Sequence, residues 1–198
     1  MIGGGVVYKL CKTEQSAARQ RQLELGLLEM MHSVPYDQIS ITDLCDRLQI
    51  PRKAFYRYFA DKDGALHGLI DHTLMDFETF SHPLPLESRT ITGELEKFYR
   101  FWKAQKPLLD ALSRSGISQI LIHRSIQHAV NDNWISGRFM AADPEFRHPR
   151  IIQFAMWGMM SMMLQWHSNG FPESTTDLAK LTARLLTQPL FSPADLFQ

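Results

Sequence analysis

The chain has 198 residues, of which 44% are hydrophobic and 21% are charged. These values are ordinary for a globular protein with a sizeable core, and they exclude a chain that is disordered throughout. The 21 basic residues balance 21 acidic ones, which argues against a protein that coats nucleic acid or anionic membrane through bulk charge. Two cysteines are too few for a disulfide-stapled secreted scaffold.

The beginning of the chain predicts a flexible tail rather than a targeting signal. Residues 1–12 contain three consecutive glycines and no hydrophobic period, and they lack the basic segment and long apolar run of a signal peptide. The most apolar stretch, residues 151–166, is shorter than the about 20 residues of a membrane span and predicts a buried helix. We therefore expect a cytoplasmic protein without membrane contact.

Three helices are predicted in the first sixty residues. Residues 17–34 form the first, because their apolar side chains repeat on one helical face. The repeat comprises Leu23, Leu27, Met30, Met31 and Val34. Ser40 begins a short second helix, since Ser40 and Asp43 have the spacing of a capping box. Pro51 suits the first turn of a third helix over residues 51–59.

The third helix separates an apolar side from a cationic one. At about 100° per residue, Phe55 and Phe59 share its inner side. The residues left to point outward are Arg52, Lys53, Ala54 and Arg57. Residues 51–62 hold four basic residues and one acidic residue, whereas residues 1–80 hold nine basic and eleven acidic ones. Positive charge is therefore concentrated on and just after this helix.

Two short helices joined by a three-residue turn are typical of a helix-turn-helix. The major groove of DNA admits one α-helix, whose first residues meet the base edges. We therefore predict that residues 51–59 read DNA and that residues 40–48 support them. A solvated surface helix is the alternative interpretation of the same charges.

The remaining chain predicts further helices and no strand. Asp61 is the expected cap of a helix over about residues 62–81, and the rigid run 82–85 follows it. Later helices are expected near residues 91–104, 107–115, 117–130, 147–168 and 174–188. The predicted fold class is all-α. It comprises a three-helix helix-turn-helix domain over residues 13–62 and a helical ligand-binding and dimerisation domain over residues 63–198.

The run from Ile39 to Lys62 resembles the N-terminal domain of TetR-family transcriptional regulators. The likeness is carried by Phe55-Tyr56-Arg57-Tyr58-Phe59 and the following Asp61-Lys62, and it covers about residues 17–75. A weaker likeness to the penultimate helix of the family lies at Trp157, Trp166 and residues 169–173.

This resemblance implies a homodimer that pairs through its last two helices and reads a palindromic operator in double-stranded DNA. It also implies a small-molecule effector in the C-terminal domain, and family members usually repress transcription. The residues predicted to contact DNA, from the match together with the outward helix face, are Thr42, Arg52, Lys53, Ala54, Tyr56, Arg57, Tyr58 and Lys62. Two residues depart from the family pattern. Gln49 stands where the family usually has glycine, which predicts either a strained residue at positive φ or a different turn, and Pro51 stands where the family often has serine or threonine and removes an N–H donor.

Candidate residues for the effector and for dimerisation lie in the C-terminal part. The effector candidates are Trp102, His123, Trp134 and Met160. The dimerisation candidates are Trp157, Met160, Leu164, Leu178, Leu181 and Leu185. A packed core is the alternative for each effector candidate, and core or dimer contact suits the methionine-rich helix better than a pocket.

No enzyme, metal site or cofactor is expected. The chain has no catalytic or phosphate-binding motif, and its paired histidines are five residues apart, which separates them on a helix. One alternative function stays open, namely a coactivator or adaptor of the same fold that acts mainly through a protein partner. The neutral overall charge and the unusual turn at Gln49 and Pro51 keep it open.

Overall fold

The computed structural model describes Tyr8, Cys11 and residues 13–81, 90–131 and 148–188. Within these residues it holds nine α-helices, a 3-10 turn at Tyr36–Gln38 and one isolated antiparallel bridge between Tyr8 and Phe59. The helices are α1 (Glu14–Met31), α2 (Ile41–Arg47), α3 (Arg52–Phe55), α4 (Lys62–Phe80), α5 (Ile91–Ala104), α6 (Lys106–Arg114), α7 (Ser118–Asn131), α8 (Pro149–Ser168) and α9 (Thr175–Thr187). The all-α prediction is confirmed. Trp134, the run 82–85 and most of the predicted tail lie outside the described residues.

The chain divides into two compact units. One comprises residues 1–76 and 107–124, and the other comprises residues 77–106 and 125–198. Helices α4 and α7 each contribute residues to both units. We call them the N-terminal unit and the C-terminal unit.

The N-terminal unit has its core where α1 and α4 turn their apolar faces inward. Of the residues predicted for the α1 face, Leu23, Leu27 and Met31 are fully buried. The predicted buried face of α4 is confirmed at Ala65, Leu66, Leu69, Ile70 and Thr73. Asp61 caps α4, since its Oδ1 accepts a hydrogen bond of 2.7 Å from the Gly64 N–H.

A buried carboxylate ties α1 to α4 inside this unit. Glu24 is fully buried, and its Oε2 accepts hydrogen bonds from Arg21 Nη1 at 3.2 Å and from His72 Nδ1 at 2.8 Å. Gly68 makes room for it, because a Cβ there would lie 2.7 Å from Glu24 Oε1. The hydrogen bond from His72 to Glu24 raises the pKa of His72 above its ordinary value, although burial opposes that shift.

This pair predicts a pH-dependent stability. Because the pKa of His72 is higher in the folded protein, its contribution is fully present below the unfolded pKa and is lost as the pH rises through the folded one. We expect His72→Asn to lower the free energy of unfolding more at pH 6 than at pH 8, measured by urea unfolding. In a Glu24→Gln background this difference between the two pH values should vanish, and its persistence would contradict the pairing.

A second buried acid joins α4 to α7 and to the N-terminal segment. Asp71 accepts a hydrogen bond from Arg124 Nε at 2.8 Å, and the Arg124 Nη2 also donates to it. The Tyr8 hydroxyl donates to Asp71 Oδ2 at 2.8 Å. Burial and this hydrogen bond raise the pKa of Tyr8, so the hydroxyl stays neutral and remains a donor.

The C-terminal unit is built on the strongly amphipathic α5. Phe98, Tyr99 and Trp102 of its inner face are buried, and Tyr99 and Trp166 pack edge to face with centroids 5.7 Å apart. The Tyr99 hydroxyl lies 2.6 Å from the Thr182 hydroxyl of α9, so this buried polar pair is satisfied. None of the described helices is long and apolar enough to cross a membrane.

Candidate nucleic-acid interface

Helix α2 begins at a capping box, as the sequence predicts. Ser40 Oγ accepts from the Asp43 N–H at 3.1 Å, and Asp43 Oδ2 accepts from the Ser40 N–H at 3.2 Å. The hydrogen bonds from Ser40 lower the pKa of Asp43. Thr42 lies exposed in the first turn. The start of the supporting helix is therefore fixed by its own local sequence.

The turn after α2 is a Schellman motif built without glycine. The Ile50 N–H donates to Cys45 O at 2.9 Å and the Gln49 N–H donates to Asp46 O at 3.1 Å, which is the paired pattern of that motif. Gln49 has φ of 54°, so of the two alternatives left open by the sequence the structure shows the residue at positive φ. A side chain at this φ strains the backbone, whereas glycine adopts it readily.

We expect Gln49→Gly to raise the stability of the N-terminal unit by about 0.5–1 kcal/mol, because it removes this strain at a small cost in chain entropy. Urea unfolding monitored by circular dichroism measures the change. Gln38→Gly, on an exposed residue of the 3-10 turn that has no positive φ, is the control. A loss of stability at position 49 similar to that of the control would contradict the strain.

Helix α3 is shorter than predicted. It covers Arg52–Phe55, and Pro51 occupies its N-cap position instead of its first turn. The following residues form a turn in which the Phe59 N–H still reaches Phe55 O at 3.1 Å. Phe55 and Phe59 are buried, with ring centroids 5.4 Å apart, which confirms their predicted role as inner anchors.

The outer face of α3 and of the turn behind it is cationic. Arg52, Lys53 and Arg57 are all exposed, and Ala54 is half-buried. Tyr56 is 46% exposed beside them, and its hydroxyl accepts a hydrogen bond of 3.3 Å from Arg52 Nη2. This bond raises the pKa of Arg52 further, so its charge is permanent. We call Arg52, Lys53, Tyr56 and Arg57 the cationic face.

Two predicted contact residues have other partners. Tyr58 is only 7% exposed. The Lys62 ammonium donates to Tyr36 O at 2.5 Å and to Ile39 O at 2.7 Å, and it lies 4.3 Å from the centroid of the Tyr36 ring. Lys62 therefore fastens the segment before α2 to the start of α4, which leaves one ammonium N–H for any phosphate.

Sequence reasoning missed Tyr36 as the centre of this contact. It is buried, and its hydroxyl donates to Asp63 at 2.5 Å, while burial and this bond raise its pKa. The sequence feature that could have indicated this role is its place in Pro35-Tyr36-Asp37, but the same three residues are equally typical of a simple helix end. Tyr36, Lys62 and Asp63 together hold the helix-turn-helix in place.

The effector candidates among the described residues are divided between the two units. Trp102 and Met160 are core residues of the C-terminal unit, 1% and 0% exposed. His123 is exposed on α7 and belongs to the N-terminal unit. The indole N–H of Trp102 is buried and has no hydrogen-bond partner among the described residues, which is unusual for a buried donor.

Two helices of the C-terminal unit expose large apolar side chains. We call this set the apolar strip, and its members are Ile151, Phe154 and Trp157 of α8 with Leu181, Leu185 and Leu186 of α9. Phe154, which sequence reasoning missed, is 78% exposed. Of the predicted dimer residues, Trp157, Leu181 and Leu185 belong to the strip and Leu164 is half-buried. Met160 and Leu178 are buried inside their own unit, so they are not presented on its surface.

Comparison with known proteins places the fold. No protein-family model and no curated protein matches the sequence. Among solved structures, Lin0861 from Listeria innocua matches with a TM-score of 0.65 and 18% identity over 92% of this chain and 98% of its own. The TetR family repressor AlkX from Dietzia matches with a TM-score of 0.54 and 15% identity over 84% and 94%. The dihydroxyacetone kinase operon activator DhaS matches with a TM-score of 0.58 and 18% identity over 86% and 94%. The chain therefore has the all-helical fold of TetR-family transcriptional regulators, with its helix-turn-helix at the N-terminal end.

Proposed function

We propose that this protein is a transcriptional regulator that binds double-stranded DNA through the cationic face of α3. The observation that carries the proposal is that Arg52, Lys53 and Arg57 are exposed while Phe55 and Phe59, interleaved with them, are fully buried. Helix α3 and the turn behind it are therefore anchored on one side and cationic on the other, as insertion into the major groove requires. The shared fold with a TetR family repressor supports the same reading.

We further propose that two copies pair through the apolar strip. Phe154 is 78% exposed on α8 and three leucines are exposed on α9, which is unfavourable in water, and we propose that a second copy covers them. In a twofold dimer the two cationic faces would meet successive major grooves about 34–36 Å apart. The operator is then a palindrome.

The proposed mode of action is ligand-responsive repression in the cytoplasm, without catalysis. The effector would bind in the C-terminal unit, where the unpartnered indole N–H of Trp102 offers one hydrogen-bond donor. An effector changes DNA binding only by its different affinity for the two conformations. We propose repression because residues 17–75 resemble a family whose members usually repress transcription. One protein of similar fold, DhaS, is an activator.

Selection of binding sites from a pool of random duplexes tests this function. The purified protein should recover a palindromic sequence, and its affinity for that sequence should fall steeply with salt, by roughly 0.9 of a log unit per log unit of salt for each phosphate contacted. Recovery of no sequence, together with weak salt dependence on random DNA, would favour the adaptor that acts through a protein partner.

A further inference from the structure

Of the three basic side chains of the cationic face, one is restrained by a neighbouring side chain and two are not. The Arg52 guanidinium donates to the Tyr56 hydroxyl at 3.3 Å, and its central carbon lies 5.9 Å from the Tyr56 ring centroid. Lys53 and Arg57 make no hydrogen bond, ion pair or ring contact with the described part of the chain. Arg52 is thus the one member of the three whose orientation is restricted before any ligand arrives.

The Tyr56 ring is itself held by a contact with a buried residue. Its ring packs edge to face on Phe55, with centroids 5.5 Å apart and an interplanar angle of 86°. Phe55 is fully buried in the core of the N-terminal unit. The core therefore fixes Phe55, Phe55 supports Tyr56, and Tyr56 restrains Arg52.

A restrained arginine is suited to reading a base. The guanidinium has five N–H donors in a planar fork, so one bond to Tyr56 leaves four. The fork matches the O6 and N7 acceptors of guanine in the major groove, where an arginine makes the commonest specific contact. Restraint before binding lowers the side-chain entropy that is lost on contact. Arg52 also stands at the first position of α3, the end of a reading helix that meets base edges.

We propose that Tyr56 is a positioning residue that presents Arg52 to a guanine in each half of the operator, and that Arg52 is the residue that determines specificity there. Lys53 and Arg57 then supply affinity through phosphates, without sequence preference. This inference rests on the proposed function, since it requires that α3 enters DNA.

The test uses the full-length protein and the duplex that the wild type recovers by selection. Dissociation constants are measured by fluorescence anisotropy at one salt concentration, for that duplex and for each single base-pair change in it. The variants are Arg52→Lys, Tyr56→Phe and the double variant, with Arg57→Lys as the matched control. All of them keep the net charge, and all change exposed side chains, so thermal unfolding should be unchanged.

We expect Arg52→Lys to lose roughly tenfold of discrimination at one G·C pair in each half-site, because the lysine ammonium is a flexible point charge without the planar fork that matches O6 and N7, and it cannot be held by Tyr56 in the same way. Tyr56→Phe should lose part of the discrimination at the same pair, and the double variant should lose no more than Arg52→Lys alone. Arg57→Lys should leave discrimination unchanged at every position.

Two results would overturn the inference while leaving DNA binding intact. One is unchanged discrimination at every position in Arg52→Lys. The other is an equal loss of affinity from Tyr56→Phe with and without Arg52, since a tyrosine that contacts phosphate directly would act independently of the arginine. Failure to recover any duplex would instead overturn the proposed function, and this inference with it.

Discussion

Replacing Leu181 with glutamate should dissociate the proposed dimer. Leu181 is 47% exposed within the apolar strip, and a carboxylate buried there between two copies would have no partner. We expect the dimer dissociation constant to rise by at least about a hundredfold, equivalent to roughly 2.7 kcal/mol. Sedimentation velocity over a range of protein concentrations measures this, and DNA affinity should fall with dimerisation because each monomer reads only half a palindrome.

Leu25→Glu is the matched control for this change. Leu25 is a leucine of α1 with the same 47% exposure, but it belongs to the N-terminal unit and is not a member of the strip. The control should keep the wild-type sedimentation coefficient. Equal behaviour of the two variants, either both dimeric or both dissociated, would contradict the assignment of the interface to the strip.

Replacing Arg124 with alanine should strongly destabilise the N-terminal unit. Among the described residues, the change leaves the buried Asp71 carboxylate with the Tyr8 hydroxyl as its one hydrogen-bond donor. Breaking a buried ion pair from one side costs about 3–5 kcal/mol, and we expect about 3 here because the Arg124 side chain is 22% exposed. Urea unfolding followed by circular dichroism gives the free energy.

Two further variants show whether the loss of stability in Arg124→Ala comes from the buried ion pair. Arg19→Ala removes an exposed arginine of α1 that donates a hydrogen bond to the exposed face of its own helix at Gln22, and it should change the free energy of unfolding by less than about 0.5 kcal/mol. Asp71→Ala combined with Arg124→Ala should cost less than Arg124→Ala alone, because it leaves no unpaired buried charge. A double variant as unstable as the sum of the single changes would show that the pair is not coupled.

The sequence sufficed where a structural feature depends on neighbouring residues in the chain. The capping box at Ser40 and Asp43, the cap at Asp61 and the buried face of α4 involve residues within a few turns of one another. The positive φ of Gln49 is also a local feature, and it was one of two alternatives indicated by the glycine that the resembling family carries at this position.

The sequence did not suffice where tertiary contacts decide. The contact of Lys62 with phosphate stays a prediction, but the sequence did not indicate its bonds to the carbonyls of Tyr36 and Ile39, more than 20 residues away in the chain. Helix α3 ends at Phe55 and a turn follows it. In this turn Tyr58 is almost fully buried. The helical spacing of the apolar residues continues through this turn, so periodicity predicted a longer helix.

The same limit applies to the last two helices. The apolar residues of α8 occupy nearly its whole circumference, so periodicity does not separate core from surface. The structure separates them, with Met160 inside and Phe154 outside. The proposed interface therefore shifts from the residues with the most regular spacing to those that remain exposed.

Charge reversal on the cationic face tests the central claim most directly. Lys53→Glu with Arg57→Glu should lower affinity for the selected duplex by more than about a hundredfold, since it replaces two phosphate contacts by repulsion. Lys106→Glu with Lys180→Glu makes the same change in net charge on exposed residues of the C-terminal unit and should alter affinity only a few-fold. Equal losses in the two double variants, with both proteins folded and dimeric, would show that DNA is not read by α3.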